Sequence, residues 1–324
     1  MITDEMIVSV FHRAGDRYIS GAELAKELSV SRTTVWNHIH SLMKQGYKFE
    51  TSTNLGYRLT SIPDRMLPDE ISYGLQTKWL GRKIISYEEI ESTNDLAMQL
   101  AADGVEEGTV VFAEHQRKGR GRLHRKWYSP RKKDILMSII LRPHFHPRRV
   151  TQLTITFALA NALAIRETYG LPALIKWPND IYINERKCAG ILIDMSAELD
   201  SIEHVVIGVG VNVNSSEREF PKDLRGRATS LSIETGERCN RVDFAKILLK
   251  QFEDHYDRLI ANGFETISRE WVDLSLSLGR RVEVSTENEQ ITGMAVKLDD
   301  DGWLLVRTDT GIVKRASGGD LVIH

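Results

Sequence analysis

Between residues 21 and 60 the apolar period of the chain changes from that of a helix to that of a strand. Leu24, Leu28, Val35, Ile39 and Leu42 recur at helical spacing, broken only at Ser29-Val30-Ser31. Ser20, with Glu23 following, and Ser31 are placed to cap the two helices this pattern predicts. Two helices with so short a break have the proportions of a helix-turn-helix, spanning about residues 21–40. Residues 47–50 and 57–60 then alternate as strands on either side of Thr53-Asn54-Leu55-Gly56, which predicts a wing.

The second helix would be the recognition helix. Ser31, Arg32, Thr33, Thr34 and Asn37 lie in its N-terminal half, where such helices meet base edges, and Arg58 in the wing is placed to meet phosphate. Trp36 lies off the apolar stripe of Val35, Ile39 and Leu42, facing DNA or a partner. Residues 31–48 carry Arg32, Lys44, Lys48, His38 and His40 and no acidic residue. The bland alternative is a winged helix that only makes protein contacts.

The rest of the chain has a different rhythm. The stretch SIPDRMLPDE, with its two prolines, reads as a linker. Beyond it, helices are expected near residues 95–102, 150–169 and 242–261. Strands are expected at 109–114, 135–141, 174–176, 181–183, 189–194 and 204–212. Strand pairs joined by short polar turns point to an α+β fold with a mixed sheet rather than a regular βαβ array. From Leu278 onward short alternating strands suggest a small SH3-like β-barrel. The expected domains are 1–62, 63–274 and 275–324; a chain of 324 residues, 41% hydrophobic, is long enough for them.

A net charge of −2 gives no global attraction to polyanions, so such binding must come from local patches. Cys188 and Cys239 form no ligand-spaced pair, which fits a reducing compartment without disulfides or cysteine-bound zinc. Neither a signal peptide nor a membrane span is legible, so a soluble cytoplasmic protein is expected.

Five short stretches could carry chemistry. Residues 118–127, KGRGRLHRKW, hold five lysines and arginines and one histidine. His124 stands where a dinucleotide fingerprint needs its third glycine, and the lysine and hydroxyl of a P-loop are missing. What remains is glycines at 119 and 121 that let the backbone approach a ligand, with forked donors on Arg120, Arg122 and Arg125 for phosphate or carboxylate. Such a loop should be mobile when empty and ordered by an anion. Trp127 at its end can pack over a ring. A solvated basic loop or a nucleic-acid contact explains the same residues.

In KWPND, Lys176, Asn179 and Asp180 would be displayed at a sheet mouth, although Pro, Asn and Asp also make good turns for backbone reasons alone. Lys187 opens an apolar strand in which Gly190 clears space for a neighbour; such a lysine either snorkels to solvent or stands as a fixed charge beside a reacting group. Gly208 and Gly210 leave one face of another strand bare, open to a ligand or to a second copy of the chain, and Asn212 ends that strand. Ser92, Thr93 and Asn94 precede a helical pattern; capping explains one of them and leaves polar groups suited to a neutral heterocycle.

In this order the stretches resemble the biotin–protein ligase family, specifically its bifunctional members that repress biotin genes. The resemblance rests on Ser92-Thr93-Asn94, Gln116, Gly119-Arg120-Gly121-Arg122, Arg125-Lys126-Trp127, the run from Lys176 to Asp180, Lys187 with Ala189-Gly190, and Gly210 with Asn212. It covers nearly the whole chain. It implies activation of biotin by ATP, as a magnesium complex with no protein-held metal, to biotinyl-5′-adenylate. Transfer to a lysine follows, on the biotin carboxyl carrier domain of acetyl-CoA or pyruvate carboxylase.

The resemblance also implies residue roles. Ser92, Thr93, Asn94 and Gln116 would line the ureido end of the biotin site, with Gly190 beside it. Arg120, Gly121 and Arg122 would hold the carboxylate and phosphate region. Lys187 would contact the reacting oxygens, and Trp127, Lys176, Asn179 and Asn212 would lie toward the nucleotide. Asp180 is the candidate to orient or deprotonate the incoming lysine. The repressor half implies operator DNA and an adenylate-bound homodimer, with no membrane partner. A lipoate ligase, a ligand-sensing transcription factor and a ligase with a vestigial winged helix remain as alternatives.

Overall fold

A computed structural model describes residues 2–198, 200–286 and 289–324. It divides into two compact units, residues 1–74 and 75–324.

The first unit contains α1 (Asp4–Ala14), α2 (Gly21–Glu27), α3 (Arg32–Lys44), β1 (Lys48–Ser52), β2 (Gly56–Ser61) and α4 (Pro68–Ser72). Ser20 caps α2 by accepting from the Glu23 amide, and Ser31 caps α3 by accepting from that of Thr34. The apolar stripe packs as its period dictates: Leu24, Val35, Ile39 and Leu42 are buried with Ile7, Val8 and Phe11 of α1. β1 and β2 form the wing as an antiparallel pair. The stretch read as a linker is partly built into this unit. Pro68 starts α4, where its missing amide costs nothing, and Met66, Glu70 and Ile71 are fully buried. Its two prolines and its charges masked the apolar pair.

The second unit holds two sheets. Its first elements are β3 (Ile84–Tyr87), α5 (Thr93–Ala102), β4 (Val110–Ala113), β5 (Ile135–Leu141), α6 (Val150–Tyr169), β6 (Leu174–Lys176) and β7 (Asp180–Ile183). Then come β8 (Arg186–Glu198), β9 (Ser201–Val211), α7 (Leu231–Thr235), α8 (Arg241–Asn262) and α9 (Phe264–Asp273). The seven strands run β3-β4-β5-β9-β8-β7-β6, parallel only between β3 and β4, so the sheet is mixed. The second sheet uses β10 (Arg281–Ser285), β11 (Gln290–Leu298), β12 (Leu304–Arg307), β13 (Val313–Ala316) and β14 (Asp320–Ile323), in the order β13-β12-β11-β10-β14. The helices expected near 95–102, 150–169 and 242–261 are present, while β3, α7 and α9 were not expected, although α9 buries Phe264, Ile267 and Trp271 at helical spacing.

One buried carboxylate fixes the start of this unit. Glu253 of α8, 1% exposed, accepts from the backbone amides of Lys78 at 2.7 Å, Trp79 at 2.8 Å and Leu80 at 2.9 Å. Glu253→Ala leaves these amides without that acceptor, and each buried amide so stranded costs about 1–3 kcal/mol. The variant should lose about 3 kcal/mol or more in urea unfolding, while Glu253→Gln, which keeps an acceptor oxygen, should lose less.

Candidate active site

Three strand glycines decide what the middle of the large sheet can carry. On β9, opposite residues of an antiparallel pair share a face, so Gly208, Gly210 and, across on β8, Gly190 lie together. A Cβ on Gly208 would sit 2.2 Å from Asn94 Oδ1, and one on Gly210 would sit 2.4 Å from Cε2 of Trp127. The bare face is therefore filled by the chain's own Asn94 and Trp127, which removes it as a surface for a second copy. β9 is also interior to the sheet, between β5 and β8.

Above this face lies a cavity of 840 Å³. It is lined by Ser92, Thr93, Asn94, Gln116, Arg120, Gly121, Arg122, Trp127, Lys176, Asn179, Asp180, Lys187, Gly190 and Asn212, so every candidate ligand residue named above falls on one wall or another. They reach it from the start of α5, the loop after β4, the β6–β7 turn, the start of β8 and the end of β9.

One end is neutral, and its polarity is fixed. Ser92 caps α5 by accepting from the Asp95 amide at 3.3 Å, leaving its own proton to donate elsewhere. Gln116 Oε1 accepts from the amide and hydroxyl of Thr93 at 2.8 and 3.0 Å, which turns its NH₂ away from Thr93. Ser138 Oγ of β5 lies 2.6 Å from Asn94 Oδ1 and 2.8 Å from Thr93 Oγ1, and Asn94 Nδ2 donates to Asp194 at 2.8 Å. Ser138 and Asp194 had no signal as site residues in the sequence, since each sits inside an apolar strand pattern.

The other end is cationic. Lys187 Nζ stands 2.7 Å from Asp180 Oδ1, an ion pair off the angle of a hydrogen bond, and 5.5 Å from the centre of the Trp127 ring. Arg122 Nη1 donates to Asn179 Oδ1 at 3.0 Å, and Asn179 returns its Nδ2 to the Ile191 carbonyl. Burial pulls the Arg122 guanidinium down from its ordinary pKa, against the opposing charge of Asp180. Burial likewise lowers Lys176, whose ammonium lies over the Tyr182 ring at 5.5 Å. Asn212 spends its Nδ2 on the Thr229 carbonyl at 2.9 Å, so only its oxygen is left for a ligand.

The cation loop is tethered residue by residue. Gly121 donates to the Arg125 carbonyl at 2.7 Å and Trp127 to that of Gly119 at 2.9 Å, folding the loop on itself. The backbones meet so closely that a Cβ on Gly119 would sit 2.7 Å from the Trp127 oxygen. Lys118 pairs with Glu91, Arg120 with Asp95 and Asp194, and Arg125 with both oxygens of Asp320 on β14. That last bond holds the Asp320 carboxyl below its usual range. With Leu321 and Arg280, Asp320 brings the second sheet into the cavity wall, and Arg227 joins from the loop before α7. None of these four stands in a stretch that the sequence singled out.

In the first unit, α3 offers Arg32, Thr33, Asn37 and Trp36 as exposed side chains. Trp36 packs on His40 with ring centres 3.8 Å apart and the planes tilted by 35°. Ser31 is occupied by capping, and its hydroxyl also bonds that of Thr34. His38 faces away from this group, bonded at 2.5 Å to Asp4 of α1, which also accepts from Ser41 and Gln45. Arg58 is held by Glu50 across the wing and lies over Tyr18, so a phosphate would have to displace that carboxylate.

Among the described residues no helix is long and apolar enough to cross a membrane, and no cluster of three or more metal-ligating side chains occurs.

Three family models match in chain order: an HTH domain over residues 5–58, the biotin/lipoate A/B protein ligase family over 87–212, and the biotin protein ligase C-terminal domain over 277–321. The bifunctional ligase/repressor BirA of Bacillus subtilis is 39% identical over 308 residues, covering 95% of each chain. That of Escherichia coli is 27% identical over 311 residues, covering 96% of this chain and 94% of that one. Among solved structures, the biotin protein ligase from Aquifex aeolicus in complex with biotin and ATP superposes with a TM-score of 0.65 at 30% identity. It matches 75% of this chain and 99% of that one. With a relative so similar over nearly its whole length, and the ligase pocket assembled in its second unit, this chain belongs to the family of bifunctional biotin ligase/repressors.

Proposed function

We infer that the chain joins biotin to an acceptor protein at the expense of ATP and represses transcription through its winged helix. The observation that carries the reading is the division of one cavity into a neutral hydroxyl-and-amide end and a cationic end. Biotin has the matching halves: a ureido ring with one acceptor and two donors, and a carboxylate on a flexible arm.

In the first step a biotin carboxylate oxygen attacks the α-phosphorus of ATP, which enters as its magnesium complex, and pyrophosphate leaves. Ser92 and the Gln116 NH₂ supply donors for the ureido oxygen. Lys187 and Arg122 hold the carboxylate and α-phosphate in line and offset the charge that builds on the equatorial oxygens. Trp127, Lys176, Asn179 and Asn212 serve the nucleotide. The folded Gly/Arg loop keeps water from the mixed anhydride.

In the second step an acceptor lysine amine attacks the acyl carbon, AMP leaves, and the amine's proton departs. Asp180, already beside Lys187, orients the amine or takes that proton. The acceptor is the carrier domain of a biotin-dependent carboxylase.

Biotinyl-adenylate is also the corepressor in this reading. Bound between the loop and β14, it favours a homodimer that sets two recognition helices on a two-fold operator through Arg32, Thr33 and Asn37.

Mass spectrometry of the chain incubated with ATP, magnesium and either biotin or lipoate tests the enzyme. Retained biotinyl-adenylate is expected; lipoyl-adenylate, or none, overturns the reading. Lys187→Ala should cut biotin-dependent pyrophosphate release by about 10²–10³-fold with an unchanged melting profile. Arg122→Gly should leave the loop open and shed adenylate, which a single-turnover filtrate would show as free biotinyl-AMP. For the repressor, binding to a duplex selected from a random pool should tighten by about tenfold when biotin and ATP are added, together with a monomer-to-dimer shift in sedimentation.

A further inference from the structure

Asp194 lies on β8 in register with the ligand face: the period of two carries Gly190, Leu192 and Asp194 to the same side, and Asp194 pairs across with Val206 of β9. It stands just beyond the cavity lining and touches two of its walls. Its Oδ2 accepts from Asn94 Nδ2 at 2.8 Å and from Arg120 Nη2 at 2.8 Å. These donors come from separate segments, the first turn of α5 and the Gly/Arg loop, and among the described residues this oxygen is the acceptor they share. The same Nη2 of Arg120 also stands 2.6 Å from Asp95 Oδ1.

The consequences for the neutral end are specific. An asparagine amide can present either its oxygen or its NH₂ to a ligand, and the choice reverses what it recognises. Here a carboxylate that can only accept takes the NH₂, while the Ser138 hydroxyl lies 2.6 Å from the oxygen. Asn94 is thereby locked with its oxygen toward Gly208, where it can accept one of the ureido donors. Arg120, expected at the carboxylate and phosphate region, is instead held at this end by the same carboxylate together with Asp95, so the polarity of the pocket and the position of this part of the loop share one side chain.

We propose that Asp194 is a positioning residue for biotin: it fixes the Asn94 amide and clips Arg120 over the ureido end, without touching the substrate itself. The proposal rests on the biotin-ligase reading above and adds the residue that sets the polarity of its neutral subsite. Its effect is confined to that end, because the cations at the other end have separate partners in Asp180, Asn179 and Asp320.

The test is steady-state, biotin-dependent pyrophosphate release by the full chain, with biotin and ATP varied in turn. Asp194→Ala should raise the KM for biotin about ten- to hundredfold, as loss of bonds to a charged group implies, with the KM for ATP and kcat changed by less than about threefold. Asp194→Glu should recover part of the loss. Asp194→Asn keeps an acceptor oxygen for Asn94 but no charge for Arg120, and should fall between. It also carries the test if the alanine variant fails to fold. An unchanged biotin KM in Asp194→Asn and Asp194→Ala, or biotin and ATP KM values that rise together, overturns the proposal in favour of a merely structural aspartate. A wild-type chain without biotin-dependent release is a separate outcome, and overturns the functional reading and this inference with it.

Discussion

A site that receives an anion must hold cations away from bulk water before the anion arrives, and burial of an unpaired charge is costly enough to reshape whatever surrounds it. Three of the basic groups at the charged end have different partners and different exposure. Among the described residues Lys187 has the carboxylate of Asp180, the exposed Arg125 that of Asp320, and the half-buried Arg122 the amide oxygen of Asn179. Arg122, the most sequestered of the three, is also the one whose pKa burial lowers. A phosphate reaching Arg122 therefore displaces a neutral partner rather than a charged one, which makes this guanidinium the least encumbered of the three as a phosphate donor.

These partners come from the β6–β7 hairpin and from β14, and that explains why the second sheet cannot be regarded as an appendage. Asp320 on β14 takes both outer nitrogens of Arg125, while Trp177 of the β6–β7 turn donates to the Gly302 carbonyl and Gln152 of α6 to that of Asp300. The Gly/Arg loop is tied to the large sheet through Arg120 and Asp194 and to the small sheet through Arg125 and Asp320.

Much of this was legible in the chain, and the reasons differ by element. The winged helix declared itself because capping serines, a broken helical period and an alternating pair are all local signals. The glycines at 190, 208 and 210 marked a bare face, but not what fills it: Trp127 and Asn94 lie far away in sequence, so only the folded sheet shows that the chain covers its own glycines. Ser138, Asp194, Arg227 and Asp320 were invisible for the same reason. Ser138 and Asp194 are lone polar residues in apolar strands, and Arg227 and Asp320 are brought to the cavity by topology. The linker misreading was of another kind, since two prolines read as disruption when one of them starts a helix.

The two ends of the cavity discriminate by different physics. Cations accept any anion of suitable reach, so the charged end alone cannot distinguish one carboxylic acid from another. The neutral end can, because its donors and acceptors are assigned by the chain itself: Thr93 fixes Gln116, Ser138 and Asp194 fix Asn94, and the helix start fixes Ser92. On the proposed reading, an acid with the same arm but no ureido group would leave these buried groups, each under 5% exposed for Ser92, Thr93 and Asn94, without their ligand partners. Sites built to hydrogen-bond a substrate reject analogues lacking the bonding group by factors of about 10⁴, far beyond what shape alone provides. On the proposed reading, selectivity is therefore set by side chains that hold other side chains still, rather than by those nearest the reacting phosphorus.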